Sequence, residues 1–182
     1  MAYHSRLHRT CATFADLLEY PAPSLSDRAR ECASQVLSPE AVSMMKSFAS
    51  YSKGHSLEYL QEVYTRTFDL QPSCSPYIGY QLFGEGHRRG YCLARLKERY
   101  RECNFSFANE LPDHVAVMLR FLTRISDEEE SKELVEFCFK PALGKMIESL
   151  ASDRNPYAQV LRALVLTIGA LHQTDLAAQT ED

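Results

Sequence analysis

Apolar residues recur at three- and four-residue spacing through nearly the whole chain, and strand-like alternation is almost absent. The pattern predicts helices throughout. The first runs from about Arg6 to Tyr20, with Leu7, Phe14, Leu17 and Leu18 inward and Pro21 and Pro23 ending it. Ser26 is placed to cap a second helix. Ser38 followed by Pro39 starts a third, because proline suits the first helical position. Lys53-Gly54-His55 breaks that helix, and Ser56 caps a fourth with the stripe Leu57, Leu60, Tyr64, Thr67 and Phe68. Gln71-Pro72-Ser73 reads as a loop, and a short aromatic helix from about Pro76 to Phe83 stops at Gly84.

A longer helix from about His87 to Glu102 places Cys92, Leu96, Tyr100 and Cys103 on one side. The segment Asn104 to Glu110 is a loop that sets Phe105 and Phe107 against the core. Pro112 opens a helix carrying Val115, Met118, Leu119, Leu122 and Ile125, and Ser126 caps the next. Pro141 forces a break before a separate helix from Ala142 to Ala151. Asn155-Pro156 starts the last helix, with Val160, Leu161, Leu164, Ile168 and Leu171 inward. The expected fold class is all-α: one compact multi-helix domain of about ten helices over residues 1–182, with a polar, frayed tail from about 174.

Composition narrows the function. With 45% hydrophobic and 24% charged residues the chain is ordinary for a folded soluble protein. The net charge of −4 argues against general nucleic-acid binding and leaves room for a local basic patch. The first residues lack the apolar stretch of a signal peptide, and no apolar run approaches membrane-spanning length, so a cytoplasmic protein is expected. Six cysteines, none in a Cys-x-x-Cys arrangement, read as reduced and mostly buried thiols.

Signatures of catalysis are missing. There is no Gly-rich phosphate loop, dinucleotide fingerprint, His-Glu-x-x-His or nucleophile elbow. Asp113 in the first turn of a helix would face unpaired N–H groups, and His114 could fix a neighbouring loop. No activated nucleophile or metal accompanies this pair, so no catalytic residue, metal site or resident cofactor is expected. Basic residues crowd the helix from His87, partly balanced by Glu98 and Glu102. They read as a solvated face, or as a phosphate site built on Arg88, Arg89 and Lys97.

Two segments carry a family likeness: Tyr64-Thr-Arg-Thr-Phe-Asp-Leu70 and Glu110-Leu-Pro-Asp-His114. Between them lie Tyr77 and Tyr80, then Gly84 with Arg89 and Gly90, then Leu96, Lys97 and Tyr100. In this order and spacing they resemble the TorD/DmsD/NarJ family of molybdoenzyme assembly chaperones, closest to its NarJ-type branch. Cys74-Ser-Pro76 and Glu85 depart from that branch's usual pattern, which leaves the particular client open.

The resemblance implies binding without turnover. The partner would be the N-terminal segment or leader of the cofactor-free catalytic subunit of a molybdenum oxidoreductase, held until its cofactor is inserted. Tyr64, Phe68, Tyr77 and Tyr80 would wall a groove, Asp69, Glu85, Glu110 and Asp113 would meet basic residues of the client, and His114 would complete the motif. Monomer and domain-swapped dimer both stay open. The competing reading is a nucleotide- or molybdopterin-binding accessory module using Arg88, Arg89 and Lys97 beside Asp113 and His114.

Overall fold

Side-chain caps set half of the helix starts. In the computed structural model, which describes residues 2–70, 74–107, 110–151 and 154–178, with side chains within 9–169, the first helix is α1 (Ala2–Leu17). Next comes α2 (Leu25–Gln35), whose N-cap is Ser24 rather than Ser26. The Ser26 hydroxyl instead donates to the Ala49 carbonyl at 3.1 Å, tying α2 to α3 (Pro39–Lys53). Ser38 and Ser56 cap α3 and α4 (Leu57–Tyr64) as their sequences predict, accepting from Ala41 and Tyr59 N–H groups.

A five-residue π-turn, Thr65–Asp69, follows α4 without a break. Then come α5 (Ile78–Phe83), α6 (His87–Glu102) and α7 (Val115–Leu122). Asp127, not Ser126, caps α8 (Glu128–Leu134), accepting from the Glu129 and Glu130 N–H groups. Pro141 does not break the chain. A second π-turn, Val135–Phe139, runs into α9 (Lys140–Ser149), and this wider turn lets the helix continue through Pro141 despite its missing N–H. The last helix, α10 (Tyr157–Ala178), starts where Asn155 accepts from the Tyr157 N–H at 3.0 Å. It continues to Ala178, into the expected polar tail. Residues 179–182, the expected loop 71–73 and the side chains of Leu7 and Leu171 lie outside the described residues.

Among the described residues the fold is all-α, with a single isolated bridge between Tyr77 and His114. The core forms where α2 and α10 pack on α3 and α1 packs on α7. Phe14, Phe48, Met118, Phe121, Phe139 and Tyr157 are wholly enclosed there. Helix α6 stays outside this body and buries fully only Tyr100. No described helix is long and apolar enough to cross a membrane. The six cysteines are free thiols; Cys11, Cys32 and Cys74 are buried and the others half-buried.

Candidate functional site: an aromatic cleft with an acidic rim

The site begins with two short extended pieces of chain. The Ile78 N–H donates to the Asp113 carbonyl at 2.7 Å, and the Val115 N–H donates to the Pro76 carbonyl at 2.8 Å. This pairing joins the segment before α5 to the segment before α7. Tyr77 and His114 sit opposite each other in it, rings 5.5 Å apart and nearly perpendicular. The Tyr100 hydroxyl adds a third anchor by donating to the Pro112 carbonyl at 2.7 Å.

Asp113 lies before α7 rather than in its first turn, and its side chain is fully buried. Its partner is Arg89, whose Nε and Nη2 donate to the two carboxylate oxygens at 2.8 and 3.3 Å. The guanidinium also lies over the Tyr77 and Tyr80 rings, 5.2 and 5.6 Å from their centroids. Room for the carboxylate comes from Gly79: a Cβ there would stand 2.8 Å from Asp113 Oδ2. This buried pair fixes α6 and α5 against the Pro112–His114 segment.

His114 is itself the N-cap of α7, its Nδ1 accepting from the Ala116 N–H at 3.2 Å. That bond leaves the ring proton on Nε2. Burial lowers the His114 pKa from its ordinary 6.5, against the opposing pull of Glu110, Glu19 and Asp113. A histidine held neutral in the fold takes up a proton more readily when unfolded, so its contribution is complete above about pH 6.5. It is lost as pH falls toward the folded value. Replacing His114 by Asn, which also caps well, should shrink the fall in stability between about pH 7.5 and 5.5 in urea unfolding. An identical pH slope in variant and parent would refute this account of the histidine.

Above these anchors opens a cleft of about 510 Å³. Its walls are aromatic: Tyr20, Tyr64, Tyr77, Phe105 and Phe107, with Val117 and His114 completing them. Three carboxylates, Glu19, Asp69 and Glu110, and one guanidinium, Arg120, complete the charged lining. Arg120 is already engaged, by Glu19 at 2.5 Å and Asp16 at 2.6 Å. Glu110 accepts from the Tyr77 hydroxyl and the Leu111 N–H, both at 2.9 Å. Burial, followed by that bond to Glu110, pushes the Tyr77 phenol up to about 12, so it remains a donor at neutral pH. The cleft is thus apolar in its walls and negative in balance.

The sequence profile of a family described as nitrate reductase delta subunit matches residues 35–161, more than two-thirds of the chain. The chain belongs to this family. It is 26% identical to the probable nitrate reductase molybdenum cofactor assembly chaperone NarJ of Bacillus subtilis (strain 168), over 87% of this chain and 88% of that one. The fold is similar to a putative redox enzyme maturation protein from Archaeoglobus fulgidus, with a TM-score of 0.61, 22% identity and coverage of 90% and 93% of the two chains.

In this member of the delta-subunit family, Tyr64, Asp69, Tyr77, Glu110 and His114 meet at the cleft. Phe68 does not; it is buried between Tyr64 and Tyr157. Tyr80 stands on the Arg89 side, and Glu85 is exposed in a turn between Gly84 and Gly86, whose φ of +67° and +127° suit glycine. Asp113 faces Arg89 rather than the cleft. The basic trio does not converge: Arg89 points inward, while Arg88 and Lys97, both exposed, are nine residues apart and so on opposite faces of α6. Sequence reasoning missed Glu19, Tyr20, Val117 and Arg120. The only early hint lay in the two acids Asp16 and Glu19, near the end of α1 and just after it, which mark an acidic corner without naming its partner, Arg120.

Proposed function

We propose that this protein is a cytoplasmic, client-dedicated assembly chaperone for a molybdenum oxidoreductase. It would bind the N-terminal segment of the cofactor-free catalytic subunit and hold it until the cofactor is inserted. The observation that carries this reading is the cleft: aromatic walls beside three carboxylates and a single, already paired guanidinium. Such a lining suits the apolar face of a short amphipathic helix that also carries basic residues. Apolar burial holds the segment, while Asp69 and Glu110 set its direction and speed its encounter. His114 contributes wall and helix cap, and the Arg89–Asp113 pair keeps Tyr77 and His114 in place.

Binding rather than turnover fits this chemistry. The family likeness supports it, as does the B. subtilis relative's description as an assembly chaperone. A nucleotide or molybdopterin module is less favoured, because Arg88, Arg89 and Lys97 do not share a face and Arg89 is committed to Asp113. Release needs no reaction: a leader buried in the matured client is lost to the chaperone by competition, since a segment that orders on binding surrenders part of its interaction energy.

Calorimetric titration with N-terminal peptides of molybdenum-oxidoreductase catalytic subunits from the same genome tests this, with scrambled peptides as controls. One peptide is expected to bind in a sequence-dependent way with a negative heat-capacity change. No binding by any peptide would defeat the cleft reading.

A further inference from the structure

Tyr20 also lines a second depression of about 330 Å³, together with Glu58, Gln61, Glu62, Thr65, Arg66 and Leu70. Tyr20 forms a wall of both depressions, with its ring edge-on to Tyr64 at 5.6 Å. The π-turn is the ridge between them. Tyr64 and Asp69 line the first depression, Thr65, Arg66 and Leu70 line the second, and Thr67 and Phe68 go to the core. A π-turn carries one residue more per turn than an α-helix and so aims neighbouring side chains in directions regular geometry does not give.

Two features point to an occupant. Leu70 is 70% exposed and Tyr20 56% exposed, so both flanks of the saddle present large apolar surface. The charged lining is two carboxylates, Glu58 and Glu62, against one guanidinium, Arg66, so it has the sign of the first cleft. Glu58 is held ionised by its own backbone N–H and the Ser56 hydroxyl. A chain that satisfies the first cleft with apolar and basic residues meets the same demands when it crosses Tyr20.

We propose that this second depression is a further subsite for the same client segment, which crosses Tyr20, rests an apolar side chain on Leu70 and places a cation beside Glu58 and Glu62. The inference rests on the reading of the first cleft as the client site.

The test uses the full chain and two synthetic peptides. One is the shortest N-terminal client peptide that still binds; the other is lengthened at each end by about four residues, one helical turn. The longer peptide is expected to bind about tenfold more tightly. That gain should vanish in Glu62→Lys and Leu70→Ser, exposed positions outside the first cleft, while affinity for the short peptide stays unchanged. Equal affinity of the two peptides would overturn the subsite and leave the first cleft standing. A gain that survives both substitutions would place the extra contact elsewhere and overturn it too. If no client peptide of any length binds the parent protein, both readings fall together. If Leu70→Ser changes the oligomeric state of the free protein in sedimentation, the depression is a self-association surface and the proposal is wrong.

Discussion

Replacing Arg89 by methionine is expected to lower the unfolding free energy by about 3–5 kcal/mol, because it strands a buried carboxylate. Asp113 is wholly enclosed and Arg89 only 17% exposed, so water cannot replace the guanidinium cheaply. Gly79 brings the helix backbone close to the carboxylate and leaves little space for a solvating molecule. For a chain of this size the loss corresponds to a fall in melting temperature on the order of 10 °C. Urea unfolding and thermal melts measure it. Arg89→Lys keeps the charge without the two-pronged geometry and should recover only part of the loss. A change below about 1 kcal/mol in the methionine variant would mean that the pair does not hold this region together. The same geometry means that Asp113→Lys would report on folding before it reported on client binding.

Reversing two acids of the cleft, Asp69→Lys with Glu110→Lys, should reduce client-peptide affinity by roughly a hundredfold, since like charges brought together cost several kcal/mol. Both residues are exposed, so stability should change little beyond the Tyr77–Glu110 hydrogen bond, worth about 1 kcal/mol. Calorimetry of parent and variant at low and high salt separates charge from packing. Parent affinity should fall with added salt and variant affinity should not. Unchanged affinity in the variant, with the parent binding well, would show that the acids do not face the client.

Helix by helix, the sequence foretold what local rules decide. Ser38-Pro39, Ser56 and Asn155 each mark a start that one residue's own chemistry can fix. Neighbouring candidates were harder. The α2 start lies upstream at Ser24, which makes no side-chain cap bond, while Ser26 is drawn into a tertiary bond; Asp127 displaced Ser126 because adjacent caps compete on nearly equal terms. The π-turns were not legible, since one wide turn does not disturb an i, i+3, i+4 stripe enough to be seen over a few residues. At the site, Tyr64, Asp69, Tyr77, Glu110 and His114 were found through family-like spacing. The Arg89–Asp113 pair joins positions 24 apart, and Glu19 and Tyr20 enter from the segment after α1 and Arg120 from α7; such pairings leave no local mark.

The bridge between Tyr77 and His114 also ties off a closed circuit of chain. Everything from Ile78 to Asp113, including α5 and α6, hangs between its two hydrogen bonds, a separation of 113 − 78 = 35 residues. Tying off such a circuit carries an entropy cost of about 3 kcal/mol beyond a fixed constant. Contacts that repay it include the two backbone bonds, the Tyr100 anchor and the Arg89 pair at the neck, together with the packing of α5 on α9, the Lys145 bond to the Gln81 carbonyl and the Arg99–Glu130 ion pair. Opening the neck breaks both backbone bonds together, so this pairing behaves as one cooperative element at the floor of the cleft. Amide protons of Ile78 and Val115 should exchange at a common free energy, lower than that of the central helices. On the proposed reading of the cleft, a newly made chain becomes competent to hold its client only once this loop has closed.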